Sequence, residues 1–321
     1  MIATDSPILI FGVGSIGERH LGILQKLGYT NLWMYRQRNL PLRTLNPADF
    51  RVVTDLAALD QIAFKAAIVC TPTAQHLPQT LWCVRRKIPV LVEKPISHSL
   101  NGFEELRDAL REHPTLVRVA YMLRFHPFFQ QIKIWTESGE LGSLLSVQTY
   151  WGEYLPDWHP WEDYRQSYAA RQELGGGVAL TLSHDLDLVN WLAGSSVAAW
   201  NTLKNYRSNL EIDVESGADV SLRYDNGVTA HCHLNFHERV PRRWYRFAFS
   251  EGSVEVDYLQ ATCTVFRPNQ EPDIKRRPNF DRNQLFEDQA RDFLQTINKG
   301  SFGEASSRAL AESEMILRIC T

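Results

Sequence analysis

Ile8-Leu9-Ile10-Phe11-Gly12-Val13-Gly14-Ser15-Ile16-Gly17 is a short apolar run followed at once by the pattern G-x-G-x-x-G. Four apolar residues bounded by glycine read as a buried strand. Ile16, Leu21, Leu24 and Leu27 recur at helical spacing, so Gly17 to Leu27 reads as a helix. Strand, glycine turn and helix is the context that gives this pattern a mechanism. Gly12 permits the tight turn, and Gly14 lets main chain approach a pyrophosphate. Gly17 lets the helix pack closely on the strand, while the helix N-terminus faces the anion. The stretch predicts a dinucleotide site built from Gly12, Gly14, Ser15, Ile16 and Gly17.

Outward from this stretch the alternation continues. Asn31 to Tyr35, Ala66 to Cys70, Pro89 to Glu93 and Leu116 to Tyr121 read as strands. Helices lie between them, one carrying Leu77, Leu81 and Val84, another running from Phe103 to Arg111. Strands alternating with helices imply a parallel sheet. Beyond this the pattern changes to strands in series: Leu144 to Trp151, Val197 to Leu203, Ala218 to Tyr224, Val228 to Phe236, Trp244 to Ser250 and Ser253 to Val256. Asp225-Asn226-Gly227 is a hairpin signal and Glu251-Gly252 a second turn. Ser183 to Leu192 and Asn283 to Ile297 read as helices. The expectation is an α/β Rossmann domain over residues 1–122 and a C-terminal α+β domain over 123–321 with an open, mostly antiparallel sheet.

Composition narrows the function. The 321 residues are 44% hydrophobic and 22% charged, ordinary for a globular chain, and two domains fit that length. A net charge of −3 argues against a nucleic-acid partner. No apolar run approaches the roughly 20 residues that span a bilayer. The N-terminus lacks the pattern of a secretory leader. Cys70, Cys83, Cys232, Cys263 and Cys320 share no metal-finger or redox-pair spacing, as expected of reduced thiols in the cytoplasm. No resident metal is expected.

The end of the second strand normally carries an acid that binds the adenosine ribose. Here the chain reads Tyr35-Arg36-Gln37-Arg38. A guanidinium there suits a 2′-phosphate, so NADP(H) is favoured over NAD(H), with Arg36 and Arg38 as its ligands. Glu93-Lys94-Pro95 falls at the carboxyl end of a strand, the edge at which open α/β sheets bind ligands. A lysine there can bond a substrate oxygen; on spacing alone it is an exposed loop lysine.

With these parts in order, the chain resembles the glucose–fructose oxidoreductase, inositol dehydrogenase and MocA family. The resemblance runs through the Gly12 turn, Thr71-Pro72 with His76, and Glu93-Lys94-Pro95. It continues through Arg124-Phe125-His126-Pro127, Gly175-Gly176-Gly177, His184 and Asp187. It implies that Thr71, Pro72, His76, Glu93 and Lys94 line the cofactor, that Lys94 is catalytic and that the Lys94–Pro95 bond is cis. It also implies that His184 is the general acid/base, a role suited to imidazole. Where family members often carry an Asp before this histidine, the chain has Thr181, which cannot ionise. Asp187, three residues after His184 on the same helix face, can orient the ring instead. The resemblance implies hydride transfer at a hydroxyl or carbonyl carbon of a sugar, sugar acid, nucleotide sugar or cyclitol. It also implies a sheet face that packs on another subunit in a homodimer or homotetramer. Family members with other chemistry, an NAD-retaining glycosidase and a tetrapyrrole reductase, are alternatives, as is a non-catalytic NADP-binding sensor.

The segment Tyr150 to Arg171 is dense in aromatic and polar residues. Tyr154, Trp158, His159, Trp161 and Tyr164, with Arg124 and Thr181, are the expected substrate contacts, against the alternative that the rings only pack on the sheet. His231 and His233 share a strand face, half of a metal site without an evident second half. Arg239, Arg242, Arg243 and Arg246, with Lys275-Arg276-Arg277, read as a solvated basic face, against the alternative of a site for the phosphate of a nucleotide sugar.

Overall fold

The computed structural model describes residues 2–37, 41–300 and 302–321. The expectation for Arg38 lies outside the described residues. The chain divides by contact into two units, Met1–Ala120 with Asn283–Glu314, and Tyr121–Arg282 with Met315–Thr321.

The first unit is built on six parallel strands: β1 (Ile8–Phe11), β2 (Leu32–Tyr35), β3 (Arg51–Val53), β4 (Ala66–Val69), β5 (Val90–Val92) and β6 (Val117–Val119). Their order is β3-β2-β1-β4-β5-β6, the doubly wound arrangement in which the chain reverses beside β1. Helices α1 (Ser15–Lys26), α2 (His76–Arg85) and α3 (Phe103–Glu112) alternate with the strands. β1 and β4 are buried along their whole length, as a parallel sheet covered on both faces requires.

The second unit opens with α4 (Pro127–Ser138), β7 (Leu144–Tyr154), α5 (Val178–Thr181) and α6 (His184–Ala193). Seven strands follow: β8 (Val197–Asn205), β9 (Gly217–Tyr224), β10 (Thr229–Asn235), β11 (His237–Phe249), β12 (Gly252–Asp257), β13 (Thr262–Phe266) and β14 (Asp273–Arg276). The sheet order is β14-β13-β12-β11-β7-β10-β9-β8. Only β10 beside β7 is parallel, so the sheet is mostly antiparallel. Side chains alternate strictly. Ala218, Val220, Leu222 and Tyr224 of β9 are buried, as are Ala230, Cys232 and Leu234 of β10. The intervening polar residues form the open face.

Two late helices, α7 (Asn283–Lys299) and α8 (Gly303–Cys320), complete the chain. Residues 123–321 therefore do not stay together. α7 returns to the first unit, where Phe293 and Leu294 join the core of Ile8, Ile10, Leu21 and Leu24. Among the described residues no helix is long and apolar enough to cross a membrane.

Candidate active site

In the first unit the glycine turn has the geometry its sequence demands. Gly12 sits at φ +78°, and a Cβ there would lie 2.8 Å from the Thr71 methyl. A Cβ on Gly17 would lie 2.1 Å from the Gly12 carbonyl oxygen, so helix and strand approach this closely only through glycine. Gly14 differs, because nothing lies within 4 Å of its would-be Cβ. It caps α1 without a side-chain hydrogen bond, leaving main-chain donors and open space where an anion binds. These residues fit a dinucleotide, with Ser15 and Ile16 opening α1. Arg36 is half-buried just past β2 and donates its amide to Val53 O at 3.1 Å.

The Glu93-Lys94-Pro95 turn follows β5, and the Lys94–Pro95 bond is cis. Two buried histidines hold it. His20 Nε2 lies 2.9 Å from Glu93 Oε1. His76 Nδ1 lies 2.7 Å from Pro95 O, and its Nε2 2.7 Å from Thr71 O. Burial pushes the Glu93 carboxyl up, but the His20 hydrogen bond with Lys94 and His76 outweighs it and holds the pKa below its ordinary value. Burial also holds His76 below its ordinary pKa, against the upward pull of the two carbonyls. His76, expected at the cofactor, thus ties the Thr71-Pro72 loop to the lysine turn through both ring nitrogens.

In the second unit, the triple glycine is explained atom by atom. Gly175 has φ +81° and Gly177 φ +107°. A Cβ on Gly176 would meet Tyr168 O at 2.4 Å, and one on Gly177 would meet Glu215 Oε1 at 2.6 Å. Glu215, buried, accepts from the amide of Ala179 at 3.1 Å. This tight turn leads through α5, which carries the buried Thr181, to His184 at the start of α6. The His184 ring meets Tyr121 edge-on at 5.9 Å and Trp151 at 6.3 Å. Asp187, expected to orient the imidazole, accepts from Arg124 with both oxygens, at 2.9 and 2.6 Å. The bidentate fork fixes Arg124 on the helix that carries His184.

The aromatic segment is ordered by its own contacts. Arg239 lies 3.7 Å over the Tyr154 ring, and Trp158 meets Phe236 edge-on. His159 packs beside the exposed Trp161. The Tyr164 hydroxyl accepts from the Glu211 amide. Trp151, near the start of this segment, packs beside His184. On the open sheet face, His233 meets Asp219 at 2.7 Å and Asn235 at 3.2 Å.

One reading needs correction. Arg243 is not part of a solvated basic face: it is 3% exposed and paired with Asp185. The reason is strand periodicity. Arg243, Tyr245, Phe247 and Phe249 share the inner face of β11, while Arg242 and Arg246 point outward. Alternation with Tyr245 and Phe247 was the signal available in the sequence. His20 and Glu215 were missed as well; each is a lone polar residue whose partner lies far along the chain.

The comparisons agree with this geometry. Residues 7–121 match the model of the oxidoreductase family with an NAD-binding Rossmann fold, and residues 129–255 match the GFO/IDH/MocA C-terminal domain. The chain belongs to the Gfo/Idh/MocA oxidoreductase family. It is 31% identical over 233 residues to the uncharacterized oxidoreductase YrbE of Bacillus subtilis, covering 69% of this chain and 64% of that protein. It is 26% identical to 1,5-anhydro-D-fructose reductase of Ensifer adhaerens over 59% of this chain and 56% of that protein. The chain thus spans less than two thirds of these curated relatives. The crystal structure of myo-inositol 2-dehydrogenase from Lactobacillus plantarum superposes with a TM-score of 0.79 at 19% identity, covering 98% and 95% of the two chains, a likeness of fold.

Proposed function

We propose that this protein is an NAD(P)-dependent oxidoreductase that moves hydride between nicotinamide and a hydroxyl-bearing carbon of a sugar, sugar acid, nucleotide sugar or cyclitol. The observation that carries the reading is the lysine turn. Lys94 stands at the carboxyl end of a parallel sheet whose glycine turn is shaped for a pyrophosphate, and two buried histidines fix the residues on either side of it. The nicotinamide, when bound, accepts the hydride in the oxidative direction. Lys94 polarises the substrate oxygen. His184 takes the hydroxyl proton as neutral imidazole and returns it as imidazolium in reduction. Arg124, held by Asp187, positions the substrate with Thr181, Tyr154, Trp158, His159, Trp161 and Tyr164. NADP(H) is the favoured cofactor because Arg36, not an acid, follows β2. We also propose a homodimer or homotetramer formed through the open sheet face, and a cytoplasmic location, which suits five buried cysteines without a disulfide.

Fluorescence titration tests the cofactor. With nine tryptophans as donors, NADPH is expected to bind at least about tenfold more tightly than NADH, and Arg36→Ala to abolish the difference. Equal or tighter NADH binding overturns the arginine argument. A panel of sugars and cyclitols with NADP+ then tests the reaction. Lys94→Ala and His184→Asn are each expected to lower kcat roughly 100-fold or more; His184→Asn leaves NADPH affinity nearly unchanged, while Lys94→Ala also weakens it because Lys94 lines the cofactor.

A further inference from the structure

Beside His184 lies a charged group that the reaction itself does not use. Asp185, the next residue, is fully buried. Its Oδ1 accepts from Arg243 Nη2 at 2.6 Å and from the Tyr245 hydroxyl at 2.8 Å. Arg243 Nε donates to the same hydroxyl at 2.6 Å. The three side chains close a triangle on one carboxylate oxygen. The guanidinium also lies 3.5 Å over the Trp151 ring, the indole that packs beside His184. Arg243 therefore touches two neighbours of the histidine: the side chain that follows it on α6 and the Trp151 ring beside it.

We propose that Asp185, Arg243 and Tyr245 are positioning residues for His184, fixing the first turn of α6 and cancelling the guanidinium charge next to the proton-exchanging ring. The inference rests on the assignment of proton exchange to His184. Burying an ion pair is seldom more stabilising than filling the same volume with apolar groups. Here the pair does something an apolar filling cannot. It orients α6 through directed hydrogen bonds and leaves no net charge beside a group that must gain and lose one.

Two ion pairs lie on the helix that carries His184. Arg243 from β11 offsets Asp185, and Arg124 offsets Asp187. Beyond these pairs, Glu153 accepts from the Trp151 indole at 2.9 Å, and burial keeps the protons on nearby hydroxyls and a thiol of this core. Burial raises the Tyr121 and Tyr245 hydroxyls well above their ordinary pKa and pushes the Cys232 thiol up to about 12. Arginine cannot release its proton in a protein. Removing the Asp185 charge therefore leaves a permanent cation that disfavours a second one on the imidazole.

The test reads His184 directly, by NMR titration of its imidazole in the full-length protein, assigned by loss of the signal in His184→Asn. In Asp185→Asn the midpoint is expected to fall by about one pH unit, and the acid limb of kcat/KM to move with it. Adding Arg243→Met removes the unbalanced cation and is expected to return the midpoint to the wild-type value. Arg243→Lys keeps the charge but loses the fork. It is expected to leave the midpoint in place while kcat falls roughly tenfold with KM unchanged. Unmoved midpoints in the Asp185 variant overturn the charge-balancing role. Should that variant not fold, wild-type kcat in both Arg243→Lys and the double variant overturns the proposal. If His184→Asn is fully active, the assignment of His184 falls instead, and the NMR midpoints still decide whether the triangle governs its charge.

Discussion

Gly14 and Gly177 are the same residue required for different reasons, and substitution separates them. Gly177 sits at φ +107°, a conformation L side chains rarely adopt, with Glu215 oxygens where a Cβ would go. Gly177→Ala must strain the backbone and push against a buried carboxylate, so a loss of roughly 2–4 kcal/mol is expected. Gly14 has φ −83° and open space around its would-be Cβ. Gly14→Ala is expected to leave stability within about 0.5 kcal/mol but to weaken NADPH binding, because the added methyl occupies the approach to the pyrophosphate. Urea unfolding of both variants, with NADPH titration of the second, checks the pair. A Gly14→Ala protein that binds NADPH as wild type removes the pyrophosphate from this turn.

At the scale of the element, α1 does more than present its N-terminus. Glu18, in its first turn, accepts the main-chain amides of Arg43, Thr44 and Leu45 and the Thr44 hydroxyl. These bonds tie the segment after β2 to the helix. Burial raises the Glu18 carboxyl, yet the three amides outweigh it and hold the pKa below its ordinary value. The folded state therefore binds fewer protons than the unfolded one in that range. The stabilisation is fully present above the ordinary carboxylate pKa of 4.5 and is lost as pH falls through the lower folded value. Glu18→Ala is expected to cost about 1–3 kcal/mol at pH 7, with the gap from wild type narrowing below pH 4.5 in urea titrations. A gap that stays constant with pH counts against the carboxylate. None of this was legible from the sequence, since a loop amide leaves no mark in residue type. Periodic elements were legible: β1, β2, β4, β5, β9, β10 and α6 all lie where apolar spacing predicts them. β3 and β14 were missed because Arg51–Val53 and Asp273–Arg276 are short and largely exposed. The site shows the same division. The glycines announce themselves through local pattern, whereas Lys94 and His184 are singled out only by the family resemblance. The partners that hold them (His20, Glu215 and Arg243) are set by pairings across the fold.

The largest gap between sequence and structure concerns the whole chain. A boundary near residue 122 follows from the change in strand pattern, yet residues 283–314 belong with the first unit. An amphipathic helix shows which face is apolar but not which core receives it. α7 contributes Phe293 and Leu294 to the first core, and its Glu287 and Asp292 pair with Lys26 and Arg118. Burying the two apolar side chains contributes about 1.5–3 kcal/mol each, a large share of the roughly 5–15 kcal/mol that holds a domain folded. The ion pairs, each with one partner open to solvent, add little. A fragment of residues 1–120 is therefore expected to unfold at much lower urea than the same residues joined by a flexible linker to 283–314. The linked form is also expected to bind NADPH with near-native affinity and the short one only weakly. Denaturation followed by near-ultraviolet circular dichroism, alongside NADPH titration, measures both. Equal stability and affinity in the two fragments would show that α7 is an accessory to the dinucleotide unit rather than part of its core.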